Sequence, residues 1–360
     1  MIESFLSCDW GTSRFRLRLI DVVGHQIRAE CSSEEGVASL FAACANARQQ
    51  RFAEVLQRHV DRLSQKNDVS LEQTPIVISG MASSSIGWRD LPYADLPFSL
   101  SGDDLPLSQL DEEAAPPSPG ILLCSGVRSL NNVMRGEEVE VMGLNTLFPQ
   151  LMSQANDLWV VLPGTHSKHV RVRCRSITEF HTHMTGELFQ LLAGHSSLRH
   201  AGDGEANGAS TPSLQHSSSQ EAFAEGVELM GRANLGETLF QVRVGQLLRG
   251  NDPQHSRSLL SGLLIGDEIR SLLARCDRRS IIILCASPEL SPSYRMAFER
   301  LRSDQEVIVL PPADVARLSA WGQLQILARE LGAAPRNESA RRRVDTPETS
   351  SHSSTRSTNK

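Results

Sequence analysis

Apolar and polar residues alternate in one short stretch of each half of the chain. Residues 14–19 alternate between arginine and an apolar residue, and a short apolar run lies before the turn at Gly11. A repeat of two residues is typical of a β-strand, so this part predicts a strand, a tight turn and a second strand. The same order recurs downstream, with an apolar run at 159–162, a turn at 163–168 and an alternating run at 169–172. Two such hairpins, separated by close to half the chain, indicate two similar lobes.

The remaining periodicity predicts an α/β fold. Apolar residues recur at helical spacing in some segments, whereas short continuous apolar runs bounded by turn residues are typical of buried strands. The predicted helices are 38–63, 137–148, 223–235, 241–248, 259–274, 292–301 and 313–331, and the further predicted strands are 25–30, 75–78, 121–123, 281–284 and 307–310. Residues 90–119 hold many prolines and acids, and we interpret them as irregular surface.

Both predicted hairpins carry a Gly-Thr pair at the tip. Glycine lets the turn backbone approach a ligand closely, and hydroxyl and amide groups in a concave turn bind phosphate. Asp9 ends the first strand, where a carboxylate could hold a magnesium ion through water. A single glycine-rich turn can equally be an ordinary edge turn, but its recurrence at mid-chain favours two turns that hold one phosphate chain between them.

Composition narrows the functional class. The 360 residues suit two domains, and 40% of them are apolar, which is enough for two cores. The net charge of −6 and the lack of a basic face interleaved with aromatic residues argue against nucleic-acid binding. No apolar run reaches the ~18 residues that span a bilayer, and residues 1–4 do not resemble a signal peptide. The seven cysteines form no Cys-x-x-Cys pair, so neither a disulfide framework nor a zinc site is indicated. We therefore expect a cytoplasmic protein with no membrane or nucleic-acid partner, and a homodimer stays open.

The predicted lobes divide the chain near its middle. We expect an N-terminal lobe at 1–147 and a C-terminal lobe at 148–333. A segment rich in Ser, Gly and His at 196–220 is expected to be a mobile insertion. The tail at 334–360 is rich in Ser, Thr and Arg and has almost no apolar residue, so we expect it to be disordered.

Several longer motifs resemble, in sequence and in order, those of the 2-dehydro-3-deoxygalactonokinases. The motifs are Asp9-Trp10-Gly11-Thr12-Ser13, Ser79-Gly80-Met81 with Gly87-Trp88, Met134-Arg135-Gly136-Glu137-Glu138, Leu162-Pro163-Gly164-Thr165-His166-Ser167-Lys168, Met184-Thr185-Gly186-Glu187-Leu188-Phe189 and Leu263-Leu264-Ile265-Gly266. The resemblance covers roughly residues 5–330. It implies two actin-like ATPase (ribonuclease H-like) lobes, each a five-stranded mixed sheet flanked by helices, with a ligand cleft between them. It also implies ATP and Mg²⁺ in the cleft, and transfer of the γ-phosphate to the 6-hydroxyl of 2-dehydro-3-deoxy-D-galactonate, a small-molecule sugar acid.

On this interpretation the phosphates lie between the two hairpin tips. The residues expected to hold ATP phosphates and the metal are Gly11, Thr12, Ser13, Gly164, Thr165 and His166, with Asp9 at Mg²⁺. Lys168 would add positive charge there, although it could equally be a solvated residue at the start of a strand. Adenosine is expected against Ala286, Ser287 and Leu290, with Tyr294 as a further candidate contact. A strand end followed by a turn of small residues and a helix N-terminus favours nucleotide binding.

The sugar acid is expected to bind mainly to the first lobe. An anion with several hydroxyls needs one strong cation and several short polar groups, and Arg135 can bind a carboxylate through two nitrogen atoms. Gly36, Gly80, Ser84 and Trp88 are expected to shape this pocket. Trp88 is also consistent with a plain core position.

A hydroxyl that attacks phosphate needs a carboxylate to accept its proton. Glu137 and Glu138 open a predicted helix, where acidic residues also simply suit the helix dipole. Adjacent helical residues point about 100° apart, so only one of the two can face the hydroxyl. We expect Glu137 to be this base, with Glu138 as the alternative.

Two other functions stay open. The Gly-Glu-Glu segment also resembles that of exopolyphosphatases of the same superfamily, which favours a hydrolase of phosphate chains as the competing enzyme. A non-catalytic sugar-binding module of the same fold is the third hypothesis. Regulators of that kind usually add a helix-turn-helix, and no basic helical pair precedes Asp9.

Overall fold

The computed structural model describes residues 3–43, 47–72, 74–110, 120–154, 157–199, 214–301 and 304–332. The predicted tail at 334–360 and a large part of the predicted insertion at 196–220 lie outside these residues. Within the described ranges, no helix is both long and apolar enough to cross a membrane.

Two mixed sheets form the framework of the molecule. The strands are β1 (Ser4–Trp10), β2 (Phe15–Asp21), β3 (Gln26–Ser33), β4 (Ile76–Gly80), β5 (Ala94–Asp95), β6 (Phe98–Ser99), β7 (Leu107–Leu110), β8 (Ile121–Cys124), β9 (Val127–Arg128), β10 (Val133–Met134), β11 (Leu158–Leu162), β12 (Ser167–Arg173), β13 (Ser176–His183), β14 (Ile281–Leu284) and β15 (Glu306–Val309). The first sheet has the order β3-β2-β1-β4-β8-β7, the second has the order β15-β14-β11-β12-β13-β6, and β10, β9 and β5 form a small third sheet.

Five strands of each large sheet repeat one plan. Strand β1 pairs antiparallel with β2 and parallel with β4, just as β11 pairs antiparallel with β12 and parallel with β14. Strands β3 and β8 complete the first set in the way that β13 and β15 complete the second. The predicted duplication into two similar α/β lobes is therefore confirmed for the sheets, and each Gly-Thr turn joins the corresponding pair of antiparallel strands.

Each sheet also carries a sixth strand that the prediction of five strands lacked. Strands β7 and β6 both come from residues 90–119, which we predicted to be irregular surface. They contain four and two residues, which is too short for a readable repeat in the sequence. Their pairing is decided by the sheet edges that they meet, since β7 lies against β8 and β6 lies against β13.

Helices cover the sheets and connect their strands. The helices are α1 (Val37–Ala43), α2 (Arg48–Asn67), α3 (Glu137–Leu147), α4 (Pro149–Gln154), α5 (Thr185–His195), α6 (Ser217–Met230), α7 (Leu235–Val244), α8 (Pro253–Leu273), α9 (Ser291–Arg300), α10 (Pro312–Val315) and α11 (Leu318–Glu330), with a 3-10 turn at Met81–Ser83 and a π-helical turn at Gly245–Arg249. The single helix predicted at 38–63 is described as two, α1 and α2. Helix α6 begins at Ser217, inside the segment that we predicted to be a mobile insertion.

Two segments cross the predicted boundary between the lobes. Strand β6 belongs to the first half of the chain but pairs with β13 of the second sheet. In the other direction, α11 packs against α3 and against β1 of the first sheet. Gln323 of α11 donates hydrogen bonds to Cys8 O (2.8 Å) and to Ser79 Oγ (2.8 Å), at the ends of β1 and β4. The lobe limits at 1–147 and 148–333 stay a prediction, and these crossings tie the two sheets together.

Candidate active site

The first hairpin turn is held by backbone hydrogen bonds to the start of α1, and its tip is exposed. Gly11 N donates to Arg14 O (2.9 Å) across the turn. The carbonyls of Gly11 and Thr12 accept hydrogen bonds from Val37 N and Ala38 N, both at 3.0 Å, at the start of α1. Thr12 and Ser13 remain exposed. The expected phosphate contacts of this turn are therefore accessible to a ligand.

Glycine at position 36 allows the backbone there to lie directly against this hairpin turn. A Cβ atom at Gly36 would lie 2.3 Å from both Thr12 O and the carbonyl carbon of Ser13. No side chain fits there without displacing the hairpin. Gly36, which we expected to shape the sugar pocket, thus supports the phosphate turn directly.

Two further glycines bring three backbone segments together beside the hairpin. Gly80 ends β4 with φ +94°, and a Cβ there would lie 2.7 Å from Trp10 O. Gly136 precedes α3 with φ +107°, and its Cβ would lie 3.3 Å from the Cα of Gly80. Because a positive φ and close backbone contact both favour glycine, these positions place the ends of β1 and β4 next to the start of α3.

Glu137 and Lys168 are in contact although they belong to different predicted lobes. The Lys168 Nζ atom is 3.6 Å from Glu137 Oε1, and Glu137 Oε2 accepts a hydrogen bond from Arg135 N at 3.0 Å. The Lys168 side chain is 6% exposed, so the interpretation of a solvated strand-start residue is wrong. The Glu137 side chain is 25% exposed and therefore partly accessible.

Glu138 occupies a different environment from Glu137. It is completely buried, and its two carboxylate oxygens accept from Gly136 N at 2.9 and 3.0 Å. Burial, followed by the negative charge of Glu137, raises the pKa of Glu138 to about 8. Glu138 thus accepts a backbone hydrogen bond at the N-terminus of α3. Glu137, which is partly exposed, is the member of the pair that a substrate can reach.

The raised pKa of Glu138 predicts a pH dependence of stability. The pKa of Glu138 is about 4.5 in the unfolded chain and about 8 in the folded protein. At a pH between these values, Glu138 holds a proton in the folded state that it has released in the unfolded state. The free energy of unfolding should therefore fall as pH rises through this window, by up to ~1.4 kcal/mol per pH unit. The Glu138→Gln variant should lose this part of the slope in urea unfolding measured at pH 5, 6.5 and 8. An unchanged slope would contradict the assignment.

Asp9 lies at the end of β1, 3.6 Å from a guanidinium nitrogen of Arg16. Glu140, one turn after Glu137 on α3, lies near it: burial and then the charges of Asp9 and Glu137 raise the pKa of Glu140 to about 8. The carboxyl groups of Asp9, Glu137 and Glu140 are thus close to one another, and such a group favours the binding of a cation. Within the described residues no three His, Cys, Asp or Glu side chains are grouped as a metal cage. Magnesium usually binds one or two carboxylates together with substrate phosphates and water, so the residues present fit that ion.

The second hairpin is held by a buried polar network. Gly164 N donates to Ser167 Oγ (3.3 Å), and Ser167 Oγ shares a hydrogen bond with Tyr294 Oη (3.1 Å). Tyr294 Oη in turn donates to Glu268 Oε2 (2.8 Å), while His169 Nε2 lies 2.9 Å from Glu268 Oε1. Glu268 is 1% exposed, and its hydrogen bonds lower its pKa although burial opposes this. Since the side chains of Ser167, Tyr294 and Glu268 are all buried, the network fixes the turn relative to α8 and α9.

A pocket of about 300 Å³ opens above this hairpin. Its lining includes Gly164, Thr165, Gly186, Ser261, Leu290 and Tyr294, together with Arg14 from the first hairpin. A Cβ atom at Gly164 would meet no atom within 4 Å, so the space over this glycine is open. Helix α5 begins beside it, because Glu187 N donates to Thr165 O at 3.1 Å.

The structure distributes the predicted nucleotide residues unevenly around this pocket. Leu290 lines it, whereas Ala286 is 1% exposed and packs into the core beneath α9. Ser287 is half-buried, and its carbonyl accepts from Leu290 N at 3.1 Å. His166 is exposed and forms a hydrogen-bonded pair with Glu187 at the hairpin tip. Of the four candidate adenosine contacts, Leu290 and Tyr294 therefore line the pocket, whereas Ala286 and Ser287 do not.

Trp88 belongs to the core rather than to a sugar pocket. It is 1% exposed, and its ring centroid lies 6.1 Å from that of Trp10 and 6.0 Å from that of Phe52. Ser84 is buried too, and its hydroxyl donates to Met81 O at 2.7 Å within the loop. The small residues around them fit a tight, buried turn that follows β4.

The guanidinium of Arg135 is already bound by the protein. It donates to Ser83 Oγ (2.8 Å) and to Leu91 O (2.8 Å), and its Cζ atom lies 4.0 Å above the centre of the Tyr93 ring. The side chain is 3% exposed. The fork that we expected to bind the sugar carboxylate is thus engaged on the loop after β4, and Arg135 positions that loop.

Changing Arg135 to lysine should therefore affect stability. Lysine keeps the charge but cannot donate to both Ser83 and Leu91 while covering Tyr93, so we expect the free energy of unfolding to fall by ~1–3 kcal/mol. Urea unfolding measures this effect. Arg89→Lys, at a more exposed arginine that donates to Ser108 Oγ at 2.8 Å, is the matched control and should cost less. Equal stabilities of Arg135→Lys and wild type would overturn this interpretation.

Comparison with known proteins places the chain in a family. The family model described as 2-keto-3-deoxy-galactonokinase matches residues 9–320. The chain belongs to this family. A 2-dehydro-3-deoxygalactonokinase of Escherichia coli K12 is 31% identical over 305 residues, which are 84% of this chain and 92% of that protein. A Rhizobium meliloti relative, which bears the same name provisionally, is 33% identical over 319 residues, or 88% of this chain and 95% of the relative.

A solved structure agrees with this family assignment. A Sinorhizobium meliloti protein, provisionally described as a 2-dehydro-3-deoxygalactonokinase, matches with a TM-score of 0.72 at 29% sequence identity. The match covers 93% of this chain and 99% of that one. The galactonokinase family fold therefore extends over nearly the whole chain.

Sequence reasoning missed two residues of this candidate site, Glu268 and Arg14. Glu268 is the clearest, because it sits on the apolar face of α8 together with Leu264 and Leu272. An acid at a buried helical position needs a partner, and that signal could have identified it. Arg14 gave no such signal, since the alternating arginines of β2 look alike in sequence.

Proposed function

We propose that this chain is an ATP-dependent kinase that phosphorylates the 6-hydroxyl of 2-dehydro-3-deoxy-D-galactonate, a step of galactonate breakdown. The observation that carries the proposal is the ion pair of Glu137 and Lys168, 3.6 Å apart, which joins the start of α3 to the strand after the second hairpin turn. Membership of the 2-keto-3-deoxy-galactonokinase family supports the substrate class. The use of ATP makes a cytoplasmic location part of the same proposal.

In this reaction Glu137 acts as the general base. Its carboxylate takes the proton of the 6-hydroxyl while the hydroxyl oxygen bonds to the γ-phosphorus. The bond from that phosphorus to the β–γ bridging oxygen breaks, and ADP leaves. Arg135 N and Lys168 beside Glu137 hold the carboxylate in place. Phosphoryl transfer depends mainly on such positioning and on charge neutralisation.

The remaining residues bind and neutralise the phosphate chain. Lys168 contributes a buried positive charge. Gly11 and Gly164 hold the shape of the two turns, whose exposed residues Thr12 and Thr165 offer backbone N–H groups from two sides. Asp9 would hold Mg²⁺ through water, and the ion, when bound, would neutralise phosphate charge. Ser13 and His166 lie at the two hairpin tips and complete the proposed phosphate contacts.

A coupled assay of ADP release tests the proposal. ADP should form from ATP only when the keto-deoxy acid is present, and a panel of 2-keto-3-deoxy acids of different configuration should identify the preferred epimer. Equal phosphate release with and without the acid would instead indicate a hydrolase. Tight binding of the acid in calorimetry, with no binding of ATP, would indicate a non-catalytic module.

A further inference from the structure

Arg14 is a cation with little to hold it. It follows Ser13 at the tip of the first hairpin, and its side chain is 73% exposed. Arg14 Nε lies 3.5 Å from Oε1 of Glu34, and the side chain of Glu34 is 81% exposed. Ion pairs between two such exposed groups contribute little to stability. The guanidinium is therefore available to a ligand at low cost.

The position of Arg14 places this cation across the cleft. Arg14 belongs to the first lobe, yet it lines the pocket that Gly164, Thr165 and Leu290 of the second lobe form. Glu289, directly before Leu290, is close enough for the charge of Arg14 to contribute to lowering its pKa, after hydrogen bonds from Ser287 and its own backbone. The first hairpin thus contributes Arg14 to a pocket whose other lining residues belong to the second predicted lobe.

The charge of this pocket favours an anion near Arg14. Among its described lining residues Arg14 is the one charged side chain, and the others are apolar or neutral. The first turn of α5 lines the same space, because Gly186 belongs to the lining and its Cβ would lie 2.6 Å from Gly164 O. The open space over Gly164 leaves room for a ligand between this helix end and the guanidinium. A cation and a helix N-terminus that face one cavity both attract negative charge.

We propose that Arg14 is a nucleotide-positioning residue that binds a phosphate group of the nucleotide held on the second lobe. This inference rests on the proposed function. A phosphate bound by Arg14 and by the second hairpin would join the two lobes through the nucleotide. The chemistry requires a phosphate, so Arg14 should distinguish nucleotides by their phosphates and leave recognition of the adenosine unchanged.

Calorimetric titration of ATP, ADP and adenosine into wild type, Arg14→Gln, Arg14→Lys and Glu34→Gln tests this role. Arg14→Gln should raise the Kd for ATP roughly tenfold, as loss of one charged hydrogen bond would, and leave the Kd for adenosine unchanged. Arg14→Lys should recover part of the ATP affinity. Glu34→Gln, which removes the partner but keeps the cation, should bind ATP at least as tightly as wild type. In kinetics the KM for ATP should rise while the KM for the sugar acid stays constant.

Four outcomes would overturn the inference. Unchanged ATP affinity in Arg14→Gln removes Arg14 from the site, and an equal loss of adenosine affinity places it at the nucleoside. A Glu34→Gln variant as weak as Arg14→Gln would show that the ion pair shapes the hairpin. If wild type binds no ATP at all, the proposed function fails as well, so the two failures are distinguishable. Thermal melts should coincide for all four proteins, because both side chains are exposed.

Discussion

Replacing Glu137 by glutamine is expected to lower kcat by a factor of ~10²–10⁴ while ATP still binds. Glutamine keeps the size of the side chain and can still accept the hydrogen bond from Arg135 N, which is 3.0 Å long in the native protein. It cannot accept the proton of the attacking hydroxyl. Steady-state kinetics would measure the loss in kcat, and calorimetry would show that the Kd for ATP is retained.

The matched control is Glu138→Gln at the adjacent residue. Glu138 is buried and bound to Gly136 N, so its replacement should change the pH dependence of stability and leave most of the turnover. If Glu138→Gln abolishes turnover and Glu137→Gln does not, the base is Glu138. If both variants turn over like wild type, the base lies elsewhere and the Glu137–Lys168 contact is only an ion pair between the lobes.

The second large effect is expected at Gly322, where α11 touches α3. A Cβ atom at Gly322 would lie 1.9 Å from Val139 O, and one at Gly143 would lie 1.8 Å from Leu318 O. The two helix backbones are thus in direct contact, and neither can yield without moving the whole helix. Gly322→Ala should lower the free energy of unfolding by ~3 kcal/mol or more, as measured by urea unfolding.

The same change should reach the active site. Gln323, the next residue, binds Cys8 O and Ser79 Oγ beneath the first hairpin, so a displaced α11 should also lower kcat. Gly194→Ala in α5 is the control, because a Cβ there meets nothing within 4 Å. Alanine is the better helix former, so this variant should be as stable as wild type or more stable by up to ~1 kcal/mol. Equal stabilities of Gly322→Ala and Gly194→Ala would show that the helices separate easily.

Much of the fold could be predicted because its signals are local. The alternation of apolar residues and arginines around Gly11 and the apolar run before Gly164 depend only on neighbours in sequence, and both hairpins form as predicted. Helix α3 begins at Glu137, as its acidic first turn indicates. Strands β6 and β7 escaped prediction because they are short and are defined by the edges that they join.

The sequence by itself therefore determined the two Gly-Thr hairpins, the alternation of strands and helices, and the set of polar residues from which the proposed site is built. Only the tertiary structure decided what each of those residues does. It placed Lys168 against Glu137, bound Arg135 to Ser83, and buried Trp88 in the core. The physical reason is that periodicity and turn chemistry act between sequence neighbours. A side chain's partner and exposure depend on segments brought together from different parts of the chain.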